Sequence, residues 1–133
     1  MGGGVKSKSN PAVLQIGCIV WAPIVPDGGV TKDRRSIVIE EPSTNLIDPV
    51  AVIGVTSDGG RYDPASPVKY PPAIFFAMPY AADGSDPTTF TIPCAAKITW
   101  VQEFRRTNIK PAGGMLTGRR LQELLDWIEA AEV

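Results

Sequence analysis

The sequence predicts a mostly β protein, a small and strongly bent β-barrel of about six or seven short strands followed by one α-helix. Three observations support this class. The chain has 133 residues, which is enough for one domain with its own core. Its 13 glycines and 13 prolines occur in clusters, as is typical of many short elements joined by loops. A clear helical pattern is present only near the C-terminus.

Six apolar or alternating runs predict the strands. The run at 50–56 is the clearest, and Gly54 within it indicates a bulge or a close approach of another segment. The connection at 57–72 is longer than most loops, which favours a functional or mobile segment. The last two runs are expected to pair around the bend at Pro93 and Cys94. The predicted strands are 13–21, 36–41, 50–56, 73–78, 88–93 and 97–104.

The C-terminal helix is predicted from an N-cap at Thr117 and from one apolar stripe with helical spacing, Leu121, Leu124, Leu125 and Ile128. We expect this stripe to cover one end of the barrel. Trp127 lies off the stripe, so it is either exposed at a protein-binding surface or packed against the strands. Residues 1–11 are predicted to be a flexible tail, and 12–133 a single domain. We also expect two tryptophans to belong to the core, Trp21 and Trp100.

Composition excludes several classes of protein. Hydrophobic content of 44% and charged content of 20% argue against a disordered chain. The apolar run at 16–25 contains Pro23 and is too short to span a bilayer, so we expect a cytoplasmic protein with no membrane partner. The chain has no histidine, and Cys18 and Cys94 match no metal motif; they are interpreted as reduced, buried thiols. No cofactor or metal is therefore predicted.

The candidate site begins with a doubled arginine at the start of a predicted strand. Lys32, Arg34 and Arg35 precede the apolar run Ile37–Ile39, and the next strand ends in the hydroxyl pair Thr56–Ser57. Guanidinium groups held beside hydroxyls suit the binding of a phosphodiester. The net charge is −1, so any nucleic-acid binding must depend on a local cluster of basic residues.

The order of these motifs resembles the MazF/PemK family of toxin ribonucleases from bacterial toxin–antitoxin modules. The resemblance covers roughly residues 13–131 and includes the segment Gln102–Asn108 and the start of the last helix at 115–117. It implies an SH3-like barrel, usually a homodimer, that cuts single-stranded RNA without a metal and inhibits growth until an antitoxin protein neutralises it.

Carried over onto this sequence, the resemblance implies that Arg35 and Thr56 are the catalytic pair. Ser36 stands where the family commonly has proline, which leaves Arg34 as an alternative to Arg35. The remaining residues that we expect to bind substrate are Lys32, Arg34, Ser57, Arg61, Arg106 and Thr107.

Cleavage of this kind uses the ribose 2′-OH as nucleophile, and a positioned guanidinium stabilises the charge that builds on the phosphoryl oxygens. Arginine stays protonated, so the proton acceptor must be a carboxylate or a water. Asp33, Glu40 and Asp58 remain equal candidates at this stage. Two other functions stay open: a DNA gyrase poison of the CcdB type, which uses a C-terminal tryptophan segment, and an inactive barrel kept as a binding module.

Overall fold

The computed structural model describes residues 14–26 and 28–131. The predicted tail at 1–11 lies outside these residues. The described part forms one antiparallel sheet of six strands in the order β4-β5-β3-β2-β1-β6, with one helix after the last strand. The strands are β1 Cys18–Ile24, β2 Lys32–Val38, β3 Val50–Thr56, β4 Phe75–Ala77, β5 Ala95–Phe104 and β6 Lys110–Met115; a 3₁₀ turn, Arg106–Asn108, precedes β6, and the helix α1 is Gly118–Ala131.

The predicted mostly β class and the C-terminal helix are confirmed. The sheet has two free edges, at β4 and β6, so the closed barrel is not confirmed. The sheet buries side chains on both faces, which explains why every residue of β3 is buried. α1 covers the first face with Leu124 and Ile128, and Trp100 belongs to the core of the second face. Each such apolar side chain contributes about 1.5–3 kcal/mol when it is fully buried.

The strand β2 begins at Lys32, four residues earlier than predicted. Its charged start pairs with β1, where Arg35 lies opposite Trp21 and Arg34 lies opposite Ala22. The two arginines are therefore inside a strand, and not in the loop before it. Since successive side chains of a strand point to opposite faces, this boundary decides where each guanidinium goes.

The predicted strand at 88–93 is wrong. This segment is irregular, with Thr89 at a φ of 64°. The sequence prediction missed β6, because its two glycines interrupt any alternation of apolar side chains. The two segments lie against each other: the 87–88 backbone crosses close to Gly114, where an added Cβ would lie 2.6 Å from the Thr88 carbonyl oxygen. Only glycine at 114 permits that crossing.

The expected irregularity at Gly54 is confirmed. Ile53 pairs with Val101 but Val55 pairs with Ala96, so β5 carries three extra residues opposite Gly54. A Cβ at Gly54 would lie 2.9 Å from the indole of Trp100. The missing side chain thus makes room for Trp100, which is only 5% exposed, as predicted for a core residue.

The connection at 57–72 forms successive turns and packs against the sheet. Tyr70 stacks edge-on against Tyr62 and Phe75, with ring centroids 5.0 and 5.2 Å away, and these rings enclose Ala95 at the start of β5. This small cluster holds the connection over the end of β3. This long connection is therefore an ordered segment that packs against one edge of the sheet.

The remaining predictions on individual residues have mixed outcomes. Trp21 is 38% exposed, so its assignment to the core is wrong. Trp127 is half-buried: its indole donates a hydrogen bond of 2.8 Å to the Pro72 carbonyl and packs on Phe76. Both cysteines are free thiols, and Cys94 is buried while Cys18 is half-buried. Within 14–26 and 28–131, no helix is long and apolar enough to cross a membrane.

Candidate nucleic-acid interface

The doubled arginine divides between the two faces of the sheet. Ser36 pairs with Gly54, and continuing that antiparallel register by two residues brings Arg34 opposite Thr56. Arg35 then faces the same side as Val55. The structure therefore does not place Arg35 against Thr56 as the resemblance implied; it places Arg34 there, because side chains alternate along β2.

The Arg34 side opens into a cleft of about 560 Å³, which we call the basic cleft. Five of its lining side chains are cations and one, Asp58, is a carboxylate. Such an excess is unusual for a chain with a net charge of −1. The lining residues are Lys32, Arg34, Thr56, Asp58, Gly59, Arg61, Lys69, Tyr70, Phe75, Lys97 and Trp100.

Aromatic rings support the cations of the basic cleft. The Arg34 guanidinium lies 4.5 Å from the Trp100 ring centroid, and the Lys97 ammonium lies 5.1 Å from the same ring. Lys97 also lies 5.9 Å from Phe75. Cation–π contacts of this kind are each worth about 0.5–2 kcal/mol, which offsets the repulsion between the two neighbouring charges. The positive charge is thus held in place before any anion arrives.

Thr56 lines the cleft and is 8% exposed. Its hydroxyl oxygen accepts a hydrogen bond of 2.9 Å from the Asp58 backbone N–H. A threonine hydroxyl has one proton to donate as well as lone pairs to accept with. With its oxygen oriented by Asp58, the hydroxyl proton of Thr56 can be donated to a bound phosphate oxygen.

Asp58 sits at a positive φ of 53° in the turn after β3. Its carboxylate accepts a hydrogen bond of 2.5 Å from the Tyr70 hydroxyl and one of 3.3 Å from Arg61. The Tyr70 hydrogen bond is the main cause that lowers the pKa of Asp58, and Arg61 adds to it. The same hydrogen bond raises the pKa of Tyr70. Asp58 is therefore ionised and Tyr70 protonated at neutral pH.

The Arg35 side has a second, smaller hollow of about 370 Å³, which we call the aromatic pocket. The Arg35 guanidinium lies 5.5 Å from the Trp21 ring and 5.7 Å from the Phe90 ring, and it donates a long hydrogen bond of 3.4 Å to the Thr89 carbonyl. Besides Lys32 and Arg34, which line both cavities, the pocket is formed by Trp21, Asp33, Arg35, Val55, Ser57, Phe90, Thr91, Ile92 and Cys94.

Cys94 is held as a neutral thiol in this pocket. Burial raises the pKa of its thiol to about 12, although the charge of Arg35 opposes the shift. The group is therefore a neutral thiol at physiological pH, and only the thiolate is reactive.

The structure brings six of the eight predicted site residues together. Thr56 and Arg61 line the basic cleft, Arg35 and Ser57 line the aromatic pocket, and Lys32 and Arg34 lie between the two. Arg106 and Thr107 are not part of this region. The start of β5 pairs with Thr56 and its end pairs with Val50, so residues beyond that end lie at the opposite side of the sheet, where Arg106 donates a hydrogen bond of 2.8 Å to the Ser43 carbonyl.

Sequence reasoning missed half of the basic cleft. Lys69, Tyr70 and Phe75 come from the connection after β3 and from β4, and no motif joins them to the arginines. Lys97 and Trp100 reach the cleft because of the extra residues in β5. The unusually long connection at 57–72 was the available signal for Lys69 and Tyr70, and it did not identify either residue.

In the part of the chain that the structure describes, no group of three or more His, Cys, Asp or Glu side chains is placed to hold a metal ion. No protein-family model matches the sequence, and no curated protein matches it at a significant level.

Proposed function

We propose that this protein is an endoribonuclease that cuts single-stranded RNA without a metal ion, and that the basic cleft binds the RNA backbone. The observation that carries the proposal is the set of five cations that line a cleft together with Thr56, three of them beside aromatic rings, against one carboxylate among the described lining residues. Cations neutralise phosphates, and aromatic faces accept unpaired bases, so the combination suits a single strand better than an isolated small anion.

The cleft contains the groups that the transesterification needs. The ribose 2′-OH loses its proton and its oxygen bonds to the adjacent phosphorus, while the bond from phosphorus to the 5′-oxygen breaks. The products are a 2′,3′-cyclic phosphate and a 5′-hydroxyl, whose oxygen takes a proton from water. Arg34 and the Thr56 hydroxyl stabilise the charge on the phosphoryl oxygens, and each such donor is typically worth about 3–4 kcal/mol of barrier.

Asp58 is the proton acceptor in this proposal. Among the residues that the structure describes, it is the only carboxylate that lines the basic cleft, whereas Asp33 lines the aromatic pocket and Glu40 lies in a groove beside α1. Its lowered pKa keeps it ionised and able to accept a proton at neutral pH, although the same shift makes it a weaker base. The catalytic set is then Arg34, Thr56 and Asp58, with Arg34 in the role that the resemblance assigned to Arg35.

The biological role that follows is that of a cytoplasmic toxin, active as a homodimer and neutralised by an antitoxin protein. This part of the proposal is supported by the resemblance to the MazF/PemK family alone. The gyrase-poison alternative is less well supported, because the Trp127 indole is tied to the Pro72 carbonyl and packed on Phe76.

A cleavage assay tests the proposal directly. The purified protein is incubated with long mixed-sequence RNA in EDTA, and the new ends are mapped. We expect discrete cuts with 5′-hydroxyl ends, lost in Arg34→Ala and kept in Arg119→Ala, which removes an exposed arginine on α1. Intact RNA with the wild-type protein contradicts the proposal. In that case, RNA binding without cleavage identifies a binding module, and growth arrest that disappears on deletion of residues 127–133 identifies a gyrase poison.

A further inference from the structure

We infer that the aromatic pocket is a subsite for one unpaired base, with guanine preferred. The inference rests on the proposed function in one respect: the base belongs to the RNA strand whose phosphates occupy the basic cleft. It adds a substrate specificity that the cleft itself does not provide, because contacts to phosphates carry no information on sequence.

The first support is the exposure of a stacking surface. Trp21 lies in the middle of β1, between β2 and β6, yet 38% of its surface is accessible. Ile92, which also lines the pocket, is exposed as well. An open indole beside a hollow of about 370 Å³ is suited to a planar ring, since bases stack on aromatic side chains and on arginine guanidinium planes.

The second support is the pair of polar groups at the pocket. Arg35 and Asp33 are two residues apart on β2, so their side chains share one face of the sheet. The Arg35 guanidinium has five N–H donors, and one of them makes the long bond to the Thr89 carbonyl. Trp21 and Phe90 on its flanks limit its movement. Asp33 offers acceptors only.

This donor and acceptor pair matches guanine better than the other bases. Guanine presents two adjacent acceptors, O6 and N7, which a guanidinium binds in a bidentate manner. It also presents N–H donors on its Watson–Crick edge, which suit the Asp33 carboxylate. Uracil has no two adjacent acceptors, and adenine carries an amino donor where guanine has O6. Cytosine has adjacent acceptors at N3 and O2, but its single ring offers less area than a purine for stacking on Trp21.

The third support is the continuity of the two cavities. Lys32 and Arg34 line both the aromatic pocket and the basic cleft. An RNA strand whose phosphate is bound by these two cations can therefore keep that phosphate on one face of the sheet and turn the attached base toward the other face. Only an unpaired base can turn out in this way, which agrees with a single-stranded substrate.

Two measurements test the subsite. In the first, guanosine, adenosine, cytidine and uridine 5′-monophosphates are titrated while tryptophan fluorescence is recorded. We expect the guanosine nucleotide to bind at least about tenfold more tightly than the others and to quench the signal of Trp21, which is the most exposed of the three tryptophans. The Trp21→Phe variant should lose the quenching but keep binding, and Arg35→Lys should lose the preference.

In the second measurement, fully 2′-O-methylated pentamers, which cannot be cleaved, are compared by fluorescence anisotropy. We expect UUGUU to bind about tenfold more tightly than UUUUU. Trp21→Ala and Arg35→Lys should remove this difference, whereas Arg34→Gln should weaken both pentamers equally. Unfolding midpoints equal to that of the wild type show that each variant is folded.

The outcomes separate the subsite from the proposed function. Equal affinity for both pentamers, with dependence on Arg34 but not on Trp21, overturns the guanine subsite and leaves the RNA cleft intact. Binding of the guanosine nucleotide without binding of either pentamer supports the pocket and contradicts the RNA function. The absence of any binding contradicts both.

Discussion

Two adjacent arginines of one strand occupy very different environments. Arg34 lies in a cleft with four other cations, one carboxylate and a supporting indole. Arg35 lies on the other face among apolar and aromatic side chains, between Trp21 and Phe90. The comparison shows that a basic pair in sequence need not be one basic patch. A one-residue step along a strand separates the environment that we propose for phosphate binding from the one that we propose for base binding.

The two regions also differ in how they are built. The basic cleft depends on the three extra residues of β5 opposite Gly54 and on the turn at Asp58, both local departures from a regular sheet. The aromatic pocket depends on the irregular 88–93 segment that crosses at Gly114. Bulges and strained turns commonly occur beside functional sites, which agrees with a binding role for both regions.

The largest expected effect distinguishes the two arginines in catalysis. Arg34→Ala should lower the rate of RNA cleavage by about 10²–10³, because it removes a donor to the charged phosphoryl group. Arg35→Ala should keep the rate at saturating RNA and change the choice of cleavage sequence. Single-turnover rates and mapped ends measure both. The reverse order of effects would return the catalytic role to Arg35 and remove the distinction drawn between the two faces.

A second prediction concerns the packing of Trp100, which supports the Arg34 face of the sheet. Gly54→Val should destabilise the protein by about 1–3 kcal/mol, because its Cβ would lie 2.9 Å from Trp100 and 3.1 Å from Ile24. The displaced indole would also move the support of Arg34, so cleavage should fall more than nucleotide binding in the aromatic pocket. Urea unfolding measures the stability. Thr99→Val, an exposed change in β5, is the control and should alter neither property.

A third prediction concerns pH. Tyr70→Phe removes the hydrogen bond to the Asp58 carboxylate and should cost about 1 kcal/mol at neutral pH, a reduced value because Asp58 is partly open to water. The folded pKa of Asp58 lies below its unfolded value of about 3.9. Its contribution is therefore fully present above that value and is lost as the pH falls through the folded pKa.

Urea unfolding of the wild type and Tyr70→Phe between about pH 2 and pH 7 checks this dependence. The difference in the free energy of unfolding should be constant near neutrality and should shrink as the solution becomes more acidic than about pH 4. Tyr80→Phe is the control, since Tyr80 is exposed and does not line the basic cleft. A difference that is independent of pH would show that the Tyr70 hydroxyl does not act through the charge of Asp58.

The smallest expected effect is on the salt dependence of RNA binding, which reports the number of phosphate contacts. Lys97→Gln should make the plot of log affinity for single-stranded RNA against log salt less steep by about 0.7, the value for one phosphate contact. Arg119→Gln, an exposed change on α1, should leave the slope unchanged. Anisotropy titrations at several salt concentrations measure the slopes. Equal slopes for the wild type and Lys97→Gln would exclude Lys97 from the RNA path.

The predicted and observed elements agree best where the local sequence pattern and the tertiary packing favour the same secondary structure. The strand 50–56 was predicted with its observed bounds, because its apolar residues satisfy both covered faces of the sheet. The α1 stripe was identified for the same reason, and Leu124 and Ile128 are its buried members. The 88–93 segment shows the opposite case, since it alternates threonine with Phe90 and Ile92 but forms no strand, and its first residue passes close to Gly114.

The candidate site also divides into residues that the sequence predicted and residues that it did not. Lys32, Arg34, Thr56 and Arg61 were identifiable from the sequence as a possible phosphate-binding set. Their partners were not, because cation–π contacts and the Tyr70–Asp58 hydrogen bond join segments that are distant along the chain. Arg106 and Thr107 show the opposite error, because they were predicted to belong to the site and lie elsewhere. Their resemblance to a family motif did not reveal that β5 carries them to the opposite end of the sheet.

The sequence alone determined the mostly β class, the terminal helix and the presence of two consecutive arginines before a run of aliphatic residues, because these depend on local composition and periodicity. Only the tertiary structure decided that β2 begins before the arginines and that β5 bulges at Gly54. Those two features depend on pairing between strands, which no single segment encodes. They decide that Arg34, and not Arg35, shares a cleft with Thr56.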